Sequence, residues 1–300
     1  MAIPLYYWND MSNFGDRLNE DVCRMLYREE PIWASPKRCR AVFIGSVLEK
    51  FIYGREHWSI DALWIKYFRS KVAVWGSGFI KEPTKIDEKL MRRLDIHAVR
   101  GELTLNRLRR LTGKALSDVA IGDPGLLASK LFSFDVDFRH ICGIIPHHVE
   151  LANVPRDVAT VKREQESGVL LPETVMAMPL FNRLSKSIPE SVVLNPESRP
   201  DTVIKKISEC GAILSSAMHG LIIADSFSIP NIRIVASDML MGGDYKFNDY
   251  YSAFSRNRHR KLDIRSDIPS DIIESVRSGY VDSSSEVRKI QDALVASFPK

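Results

Sequence analysis

The most constraining feature of this chain is a series of short apolar runs, most of which lack alternating polar residues. Seven runs recur along the sequence, at residues 5–8, 41–44, 72–75, 141–145, 192–194, 212–214 and 232–235. Apolar runs without alternation are typical of parallel strands that helices cover on both faces. Between the runs, apolar residues three and four positions apart, as in Leu18, Val22, Met25 and Leu26, predict helices. The sequence therefore predicts an α/β fold with parallel sheets.

The chain is long enough for two domains, with 300 residues. A new strand pattern begins at Ile141, directly after a stretch rich in Phe and Asp at residues 132–138. We therefore predict one α/β domain over residues 1–138 and a second over residues 139–300. Asp135 and Asp137 have the spacing of the metal-binding pair of some glycosyltransferases, but solvated surface is the simpler explanation in a linker.

The C-terminal segment carries the signature of a helix start. Ser283 and Glu286 have the spacing of a capping box. The helix that follows would place four apolar residues on one side: Val287, Ile290, Leu294 and Phe298. We expect this helix to pack back against an earlier domain.

Composition predicts an ordered globular protein in the cytosol. Hydrophobic residues make up 45% and charged residues 27% of the chain, and no apolar run approaches the ~20 residues of a membrane span. The four cysteines are scattered without C-x-x-C spacing, which favours reduced thiols over a zinc site or disulfides. Basic clusters at residues 107–114 and 256–261 indicate anionic partners. Neither cluster has interleaved aromatic residues, so we expect no nucleic-acid role.

The segment 213–220 holds the most informative histidine of the chain. An apolar run, two serines and a resumed helical pattern predict a strand, a tight turn and a helix N-terminus. Backbone amides and the helix dipole favour an anion there, and His219 is suited to bind it or to transfer a proton. A hydrogen-bonded structural histidine is the alternative. Ser215, Ser216 and Gly220 would line the same turn.

Other turns follow strands at the edge where α/β sheets bind ligands. Gly76-Ser77-Gly78 lets either a ligand or the next helix approach the backbone, and it is not a G-x-G-x-x-G fingerprint. Asn13 and Asp16 open the first helix. They are suited to cap that helix or to hydrogen-bond sugar hydroxyls.

Together these segments resemble the polysaccharide pyruvyl transferase family. The similar motifs are Asn13-Phe14-Gly15-Asp16, Gly76-Ser77-Gly78, Val99-Arg100-Gly101, Ile121-Gly122-Asp123-Pro124, Gly143-Ile144-Ile145-Pro146-His147-His148 and Ser215-Ser216-Ala217-Met218-His219-Gly220. The resemblance implies two facing, Rossmann-like α/β domains similar to those of GT-B glycosyltransferases. The N-terminal domain would hold the acceptor and the C-terminal domain the donor.

The resemblance also implies an activity. Such enzymes transfer a carboxyvinyl unit from phosphoenolpyruvate to a sugar of a bacterial exopolysaccharide precursor, form a ketal and release phosphate. No cofactor or metal is expected. His219 would be the proton donor or an anion ligand, and Asp16 the base. The substrate-binding residues would be Asn13, Gly15, Gly76, Ser77, Gly78, Arg100, His147, His148, Ser215, Ser216 and Gly220.

The His219 motif departs from the family pattern at Ala217. Family members often have an arginine at this position, whose guanidinium suits a carboxylate or phosphate. Another cation must then compensate, and Arg100, Arg139 and Arg199 are the candidates. If His147 and His148 continue a strand, only one of them faces the site.

The acceptor and the cellular location also follow from the resemblance. A lipid-linked oligosaccharide is the expected acceptor, and Arg256, Arg258 and Arg260 would hold the enzyme at the inner face of the plasma membrane. Two alternatives remain open: a GT-B-type glycosyltransferase that uses a nucleotide sugar, and a non-catalytic sugar-binding protein on the same scaffold.

Overall fold

A computed structural model describes residues 2–51, 71–83, 92–134, 138–255 and 260–299. Asp135, Asp137, Arg256 and Arg258 lie outside the described residues. The described chain forms two parallel sheets with helices between their strands, which confirms the predicted α/β fold.

The first sheet has six parallel strands in the order β2-β1-β3-β4-β5-β6. Their bounds are β1 Ile3–Leu5, β2 Pro31–Trp33, β3 Ala41–Val42, β4 Val72–Trp75, β5 Leu94–Val99 and β6 Ala120–Ile121. The pairing of β4 with β5 is irregular between Val74 and Trp75. Trp75 is completely buried at the end of its strand.

The second sheet has five parallel strands in the order β11-β10-β9-β7-β8. Their bounds are β7 Cys142–Ile145, β8 Ser191–Val193, β9 Ile213–Ser215, β10 Asn231–Val235 and β11 Lys261–Asp263. Six of the seven predicted strands are confirmed, whereas the predicted run at residues 5–8 shares only Leu5 with β1. The sequence missed β2, β5, β6 and β11, because three of these are very short and β5 contains Asp95 and His97.

Helices connect the strands of both sheets. In chain order they are α1 Phe14–Tyr27, α2 Glu102–Thr112, α3 Ala128–Leu131, α4 His148–Leu151, α5 Val158–Ser167, α6 Pro172–Met176, α7 Pro179–Ser187, α8 Pro200–Ser208, α9 Met218–Ser226, α10 Tyr245–Tyr251, α11 Ile272–Ser278 and α12 Ser284–Ala296. Two short 3₁₀ helices span Leu48–Phe51 and Pro124–Leu127. None of the helices in the described ranges has the length and hydropathy of a membrane-spanning helix.

The first helix joins the two sheets. Leu18 and Val22 form its buried stripe and belong to the same apolar cluster as Val203 and Ile207 of α8, which borders the second sheet. The backbone N–H of Phe14 donates to the carbonyl of Pro196 at 2.9 Å. The N-terminus of α1 is therefore fixed against the second sheet.

The last helix returns to the first sheet. Its buried Leu294 presents a carbonyl that accepts a hydrogen bond from the Trp75 indole at 3.0 Å. Phe298, just beyond the helix, lies 4.9 Å from the Trp75 ring and 4.5 Å from the Tyr27 ring.

The capping box predicted at the start of α12 is wrong. Ser283 stands at the N-cap, but its side chain makes no capping hydrogen bond. The Glu286 carboxylate instead accepts hydrogen bonds from the backbone N–H and the hydroxyl of Ser255. A tertiary contact has replaced the local one.

Candidate active site

The turn after β9 fixes the position of His219. Ser215 Oγ accepts from the Ala217 N–H at 3.1 Å and donates to the Ala217 carbonyl at 2.8 Å. Ser216 Oγ donates to Glu150 Oε2 at 2.6 Å and accepts from the His147 N–H at 2.8 Å. Both serines are completely buried, so their hydroxyls shape the turn.

Gly220 brings helix α9 close to β9. A Cβ at this position would lie 2.5 Å from Ser215 Oγ, and the Gly220 N–H donates to the Ala217 carbonyl. Gly220 thus allows close packing of helix on strand. The sequence predicts that the Gly220 N–H donates to an anion. That donation would compete with its hydrogen bond to the Ala217 carbonyl.

His219 is enclosed between the two sheets. Its imidazole packs against Gly15, where an added Cβ would lie 1.9 Å from Nδ1. Only 7% of His219 is exposed, and its Nε2 has no hydrogen-bond partner among the described residues. Burial, together with the charges of Lys246 and Arg100, lowers the pKa of His219 to about 3. The ring is therefore neutral at pH 7.

Asp16 lies beside His219 in the first turn of α1. Asn13 caps this helix through its Oδ1, which accepts from the Gly15 N–H at 3.0 Å, and its Nδ2 donates to Asp16 Oδ2 at 2.9 Å. The capping role predicted for Asn13 is confirmed. Burial raises the pKa of Asp16 to about 7, despite the opposing effect of Lys246. This carboxyl therefore carries a proton about half of the time at neutral pH.

Lys246 supplies a buried cation in the same place. It follows β10, lies near the start of α10, and has an exposed fraction of 7%. Burial and the nearby Arg100 lower its pKa to about 8, whereas Asp16 and Glu150 act in the opposite direction. Its charge in turn lowers the pKa of His147, His148 and His219. Lys246 therefore lies within electrostatic range of the three histidines and Asp16.

His147 and His148 lie together after the end of β7. The prediction that they alternate along a strand is wrong, because β7 ends at Ile145 and His147 is the N-cap of α4. Their rings are 4.2 Å apart. His147 Nδ1 accepts from the Val149 N–H, whereas His148 Nδ1 has no partner among the described residues. Burial lowers the pKa of His148 to about 4, so this ring too is neutral at pH 7.

Asp123, after β6, is a second buried carboxyl near Asp16. Its Oδ1 accepts from the Gly125 N–H at 2.9 Å, and its Oδ2 has no partner within the described ranges. Burial raises the pKa of Asp123 to about 6, and its charge helps to raise that of Asp16. Gly76 makes room for this turn with a φ of +92°, since a Cβ there would lie 2.1 Å from Pro124.

Of the three arginines predicted as replacement cations, Arg139 and Arg199 lie elsewhere, whereas Arg100 lies close enough to lower the pKa of His219 but is engaged by Asp249. Arg100 has no exposed surface, and its Nε donates to Asp249 at 2.9 Å. Arg139 lines a cavity at the amino ends of β7, β9 and β10, which is the opposite edge of the sheet from His219. The Arg199 side chain is 70% exposed and pairs with Asp201. Among the charges that act on His219, Lys246 lowers its pKa more than Arg100 does.

The site therefore collects groups from the carboxyl ends of strands in both sheets. The first sheet contributes Asp16 and Asp123, and the second contributes His219, the His147–His148 pair and Lys246. Buried carboxyls with raised pKa values beside imidazoles with lowered ones are typical of acid–base catalysis. The buried ammonium favours an anionic substrate.

Comparison with known proteins decides the family. The family model for polysaccharide pyruvyl transferase matches residues 10–238 of the 300-residue chain. The chain belongs to the polysaccharide pyruvyl transferase family. Membership of this family implies that the protein is a transferase with a role in pyruvyl transfer.

Two further relatives are similar to this pyruvyl transferase. An uncharacterized protein of Acanthamoeba polyphaga mimivirus is 28% identical over 275 residues, which cover 86% of this chain and 77% of the viral protein. A crystal structure of a functionally uncharacterized protein from Klebsiella pneumoniae subsp. pneumoniae is 12% identical. The match covers 87% of this chain and 92% of that chain, with a TM-score of 0.42.

Sequence reasoning did not identify two residues of the candidate site, Lys246 and Asp123. Lys246 lies beyond residue 238, where the family match ends, and no local motif marks it. Asp123 was part of a motif but was not chosen as a site residue. Within the described ranges, no group of three His, Cys, Asp or Glu side chains is placed to hold a metal ion. The expectation of no cofactor stays a prediction.

Proposed function

We propose that this pyruvyl transferase takes its carboxyvinyl group from phosphoenolpyruvate and forms a ketal on a sugar, with release of phosphate. The observation that carries the proposal is the position of Lys246. Its ammonium is enclosed with His147, His148 and His219 where the strand ends of the two sheets meet. A small donor with a carboxylate and a phosphate fits a site of one cation and several N–H donors.

The reaction requires four bond changes at the donor. A proton adds to the methylene carbon, so that the adjacent carbon gains cationic character and a sugar hydroxyl attacks it. The bond from that carbon to the phosphate oxygen then breaks, and phosphate leaves. A second hydroxyl attacks the same carbon and closes the ketal. Two hydroxyl protons are lost: one balances the new methyl group and the other leaves on phosphate.

The pKa values favour Asp16 as the proton donor. A carboxyl with a pKa of about 7 holds a proton at neutral pH, whereas His219, with a pKa of about 3, does not. The low pKa makes His219 a weak base, so we assign its neutral imidazole to hydrogen-bond and orient a sugar hydroxyl, whose proton passes to the Asp16 carboxylate formed in the first step. In this proposal Asp16 serves first as acid and then as base, whereas the sequence predicted Asp16 as the base and His219 as the proton donor or an anion ligand. Lys246 neutralises the donor anion and holds the leaving phosphate.

The acceptor and the location remain proposals as well. We propose a lipid-linked oligosaccharide acceptor, since the family acts on polysaccharides. The enzyme would then work in the cytoplasm at the inner face of the membrane. Arg256, Arg258 and Arg260 are the proposed contacts with anionic lipid, and Arg260 also donates a hydrogen bond to the Ser275 carbonyl. Their replacement by Gln should abolish association with vesicles that contain anionic lipid.

The donor assignment is tested with a Lys246→Met variant. Loss of the cation should weaken phosphoenolpyruvate binding, measured by calorimetry, by at least about 10-fold. Phosphate release in the presence of lipid-linked oligosaccharides should fall in parallel. Lys162→Met is the matched control, because the Lys162 side chain is 75% exposed.

The same assay separates the proposed donor from a nucleotide sugar. Wild-type protein should release phosphate from phosphoenolpyruvate and no nucleotide from activated sugars. Nucleotide release without phosphate release would contradict the proposal and favour a glycosyltransferase. Equal binding of phosphoenolpyruvate by wild type and Lys246→Met would remove Lys246 from the site.

A further inference from the structure

Asp249 is the centre of a completely buried polar cluster with Arg100 and Thr104. Its Oδ2 accepts from Arg100 Nε at 2.9 Å and from Thr104 Oγ1 at 2.7 Å, and its Oδ1 accepts from the Thr104 N–H at 2.8 Å. Both Arg100 and Asp249 have an exposed fraction of zero. Arg100 follows β5 of the first sheet and Thr104 lies on α2, whereas Asp249 lies on α10, which connects β10 and β11 of the second sheet. We call these three residues the Asp249 cluster.

Two motif glycines form the surface on which Asp249 rests. A Cβ on Gly78 would lie 2.7 Å from Asp249 Oδ2, and a Cβ on Gly101 would lie 1.7 Å from the Asp249 carbonyl oxygen. The close approach that these glycines permit is thus the approach of helix α10. The motif residues Gly78, Arg100 and Gly101 all contact the same residue of the other half of the chain.

The same helix is also fixed to the second sheet. Asp244, just before α10, accepts from Arg233 and Lys261 at 2.7 Å each. Tyr250 Oη donates to Asp225 Oδ2 at 2.7 Å. Helix α10 is therefore held from both sides.

Lys246 and Asp249 share one face of this helix. Residues three apart on a helix lie next to each other, so the cluster sits beside the Lys246 stem. Asp249 makes no hydrogen bond with Lys246, and its contacts are to Arg100 and Thr104. Any effect of Asp249 on the donor would therefore act through the position of the helix.

We propose that the Asp249 cluster is a positioning device, which holds Lys246 at the donor between the two sheets. This inference rests on the proposed role of Lys246 in binding phosphoenolpyruvate. Arg100 and Asp249 are positioning residues in this proposal, since neither has surface open to a ligand.

Two variants test the proposal. Asp249→Asn removes the charge and leaves the buried Arg100 guanidinium without its ion-pair partner, which destabilises the fold. Thr104→Val is the gentler probe, because it keeps the shape and removes the two hydrogen bonds of the hydroxyl, one to Asp249 at 2.7 Å and one from the Phe79 N–H at 3.3 Å. Thr112→Val, on the same helix, is the matched control, since the Thr112 hydroxyl bonds only to the Leu108 carbonyl and the Lys114 N–H in its own segment.

The first readout is kinetic. Thr104→Val should raise the KM for phosphoenolpyruvate by about 3- to 10-fold, in line with the loss of one charge-assisted hydrogen bond. The KM for the acceptor and the values for Thr112→Val should not change. A cluster that only stabilises the fold would lower the melting temperature and leave both KM values as in wild type, which would overturn the proposal.

The second readout does not depend on turnover. Acetylation of Lys246 by a small anhydride, followed by peptide mass spectrometry over a pH series, reports where this amine loses its proton. The midpoint should lie near pH 8 in wild type and Thr112→Val, and should move toward about 10.4 when the helix shifts in Thr104→Val. An unchanged midpoint would overturn the positioning role. Because labelling needs no phosphoenolpyruvate, this result stands even if the donor proposal fails.

Discussion

The backbone of Gly15 lies directly against the imidazole ring of His219. A Cβ on Gly15 would lie 1.9 Å from Nδ1 and 2.3 Å from Cγ of that ring. Gly15 belongs to the first turn of α1 and His219 to the first turn of α9. Two helix N-termini from opposite sheets therefore meet at this contact, with Asp16 beside it.

Gly15→Ala should remove activity without unfolding the protein. The added methyl group cannot share space with the ring, so His219 or the start of α1 must move. Alanine itself favours the helix by about 0.5–1 kcal/mol, so the backbone is not strained. We expect kcat/KM to fall by at least about 10²-fold, because a misplacement of about 1 Å has this effect on catalysis.

Gly113→Ala is the control for that variant. Gly113 has a φ of +65° and nothing within 4 Å of an added Cβ, so alanine there should reduce stability by about 1 kcal/mol and leave kcat/KM unchanged. Full activity of Gly15→Ala would mean that the His219 ring is not held in a catalytic position.

The pH dependence of kcat/KM should show two losses on the alkaline side. Protonated Asp16 and protonated Lys246 are the proposed active forms, with pKa values of about 7 and about 8. kcat/KM should therefore decline as the pH rises through 7, and more steeply above 8. Asp16→Asn should lower kcat by about 10²–10⁴-fold and remove the first decline. A profile that rises through pH 7 would instead support Asp16 as the base that the sequence predicted.

The sequence predicts the α/β architecture. It does not predict which residues come into contact where the strand ends of the two sheets meet. Apolar runs predict parallel strands because both faces of such strands are buried, and that signal is local. The contact of Gly15 with His219 has no local signal, since it depends on how two sheets pack. The pKa values of Asp16 and Lys246 depend on the same packing, because burial is their largest cause.

The glycine motifs also show that the sequence does not predict which residue of the other half of the chain a given glycine will contact. Gly78 indicates that something approaches the backbone closely, and the sequence left open whether this is a ligand or a helix. The structure places Asp249 of α10 at Gly78 and also at Gly101, for which the sequence predicted no close approach. Ser215 and Ser216 were likewise predicted to bind an anion, whereas their hydroxyls hold the turn that carries His219.

Asp16 should also make stability depend on pH. Its pKa rises from 3.8 to about 7 on folding, so the stabilisation from its neutral form is complete below pH 3.8 and is lost as the pH rises through 7. Asp16→Asn keeps a neutral side chain at every pH. The variant should therefore gain stability relative to wild type between pH 4 and 8, by at most about 4 kcal/mol.

Urea denaturation of both proteins at pH 4.5 and pH 8 measures this difference. The exposed Asp267 provides the control Asp267→Asn, a surface substitution that should change the free energy of unfolding by no more than about 0.5 kcal/mol. An Asp16→Asn variant that is less stable than wild type at pH 8 would show that Asp16 is charged and well paired in the folded protein.

The packing of α12 and Phe298 against the first sheet should contribute measurably to the free energy of unfolding. Phe298 packs on Tyr27, Phe43 and Trp75, with ring centroids 4.5, 6.0 and 4.9 Å away. Phe298→Ala removes these contacts and leaves a cavity beside the Trp75 indole, so unfolding in urea should become easier by about 2–4 kcal/mol. Val295→Ala, at a position 48% exposed, should change stability by less than about 1 kcal/mol. A wild-type denaturation midpoint for Phe298→Ala would show that the C-terminal segment does not pack on the first sheet in solution.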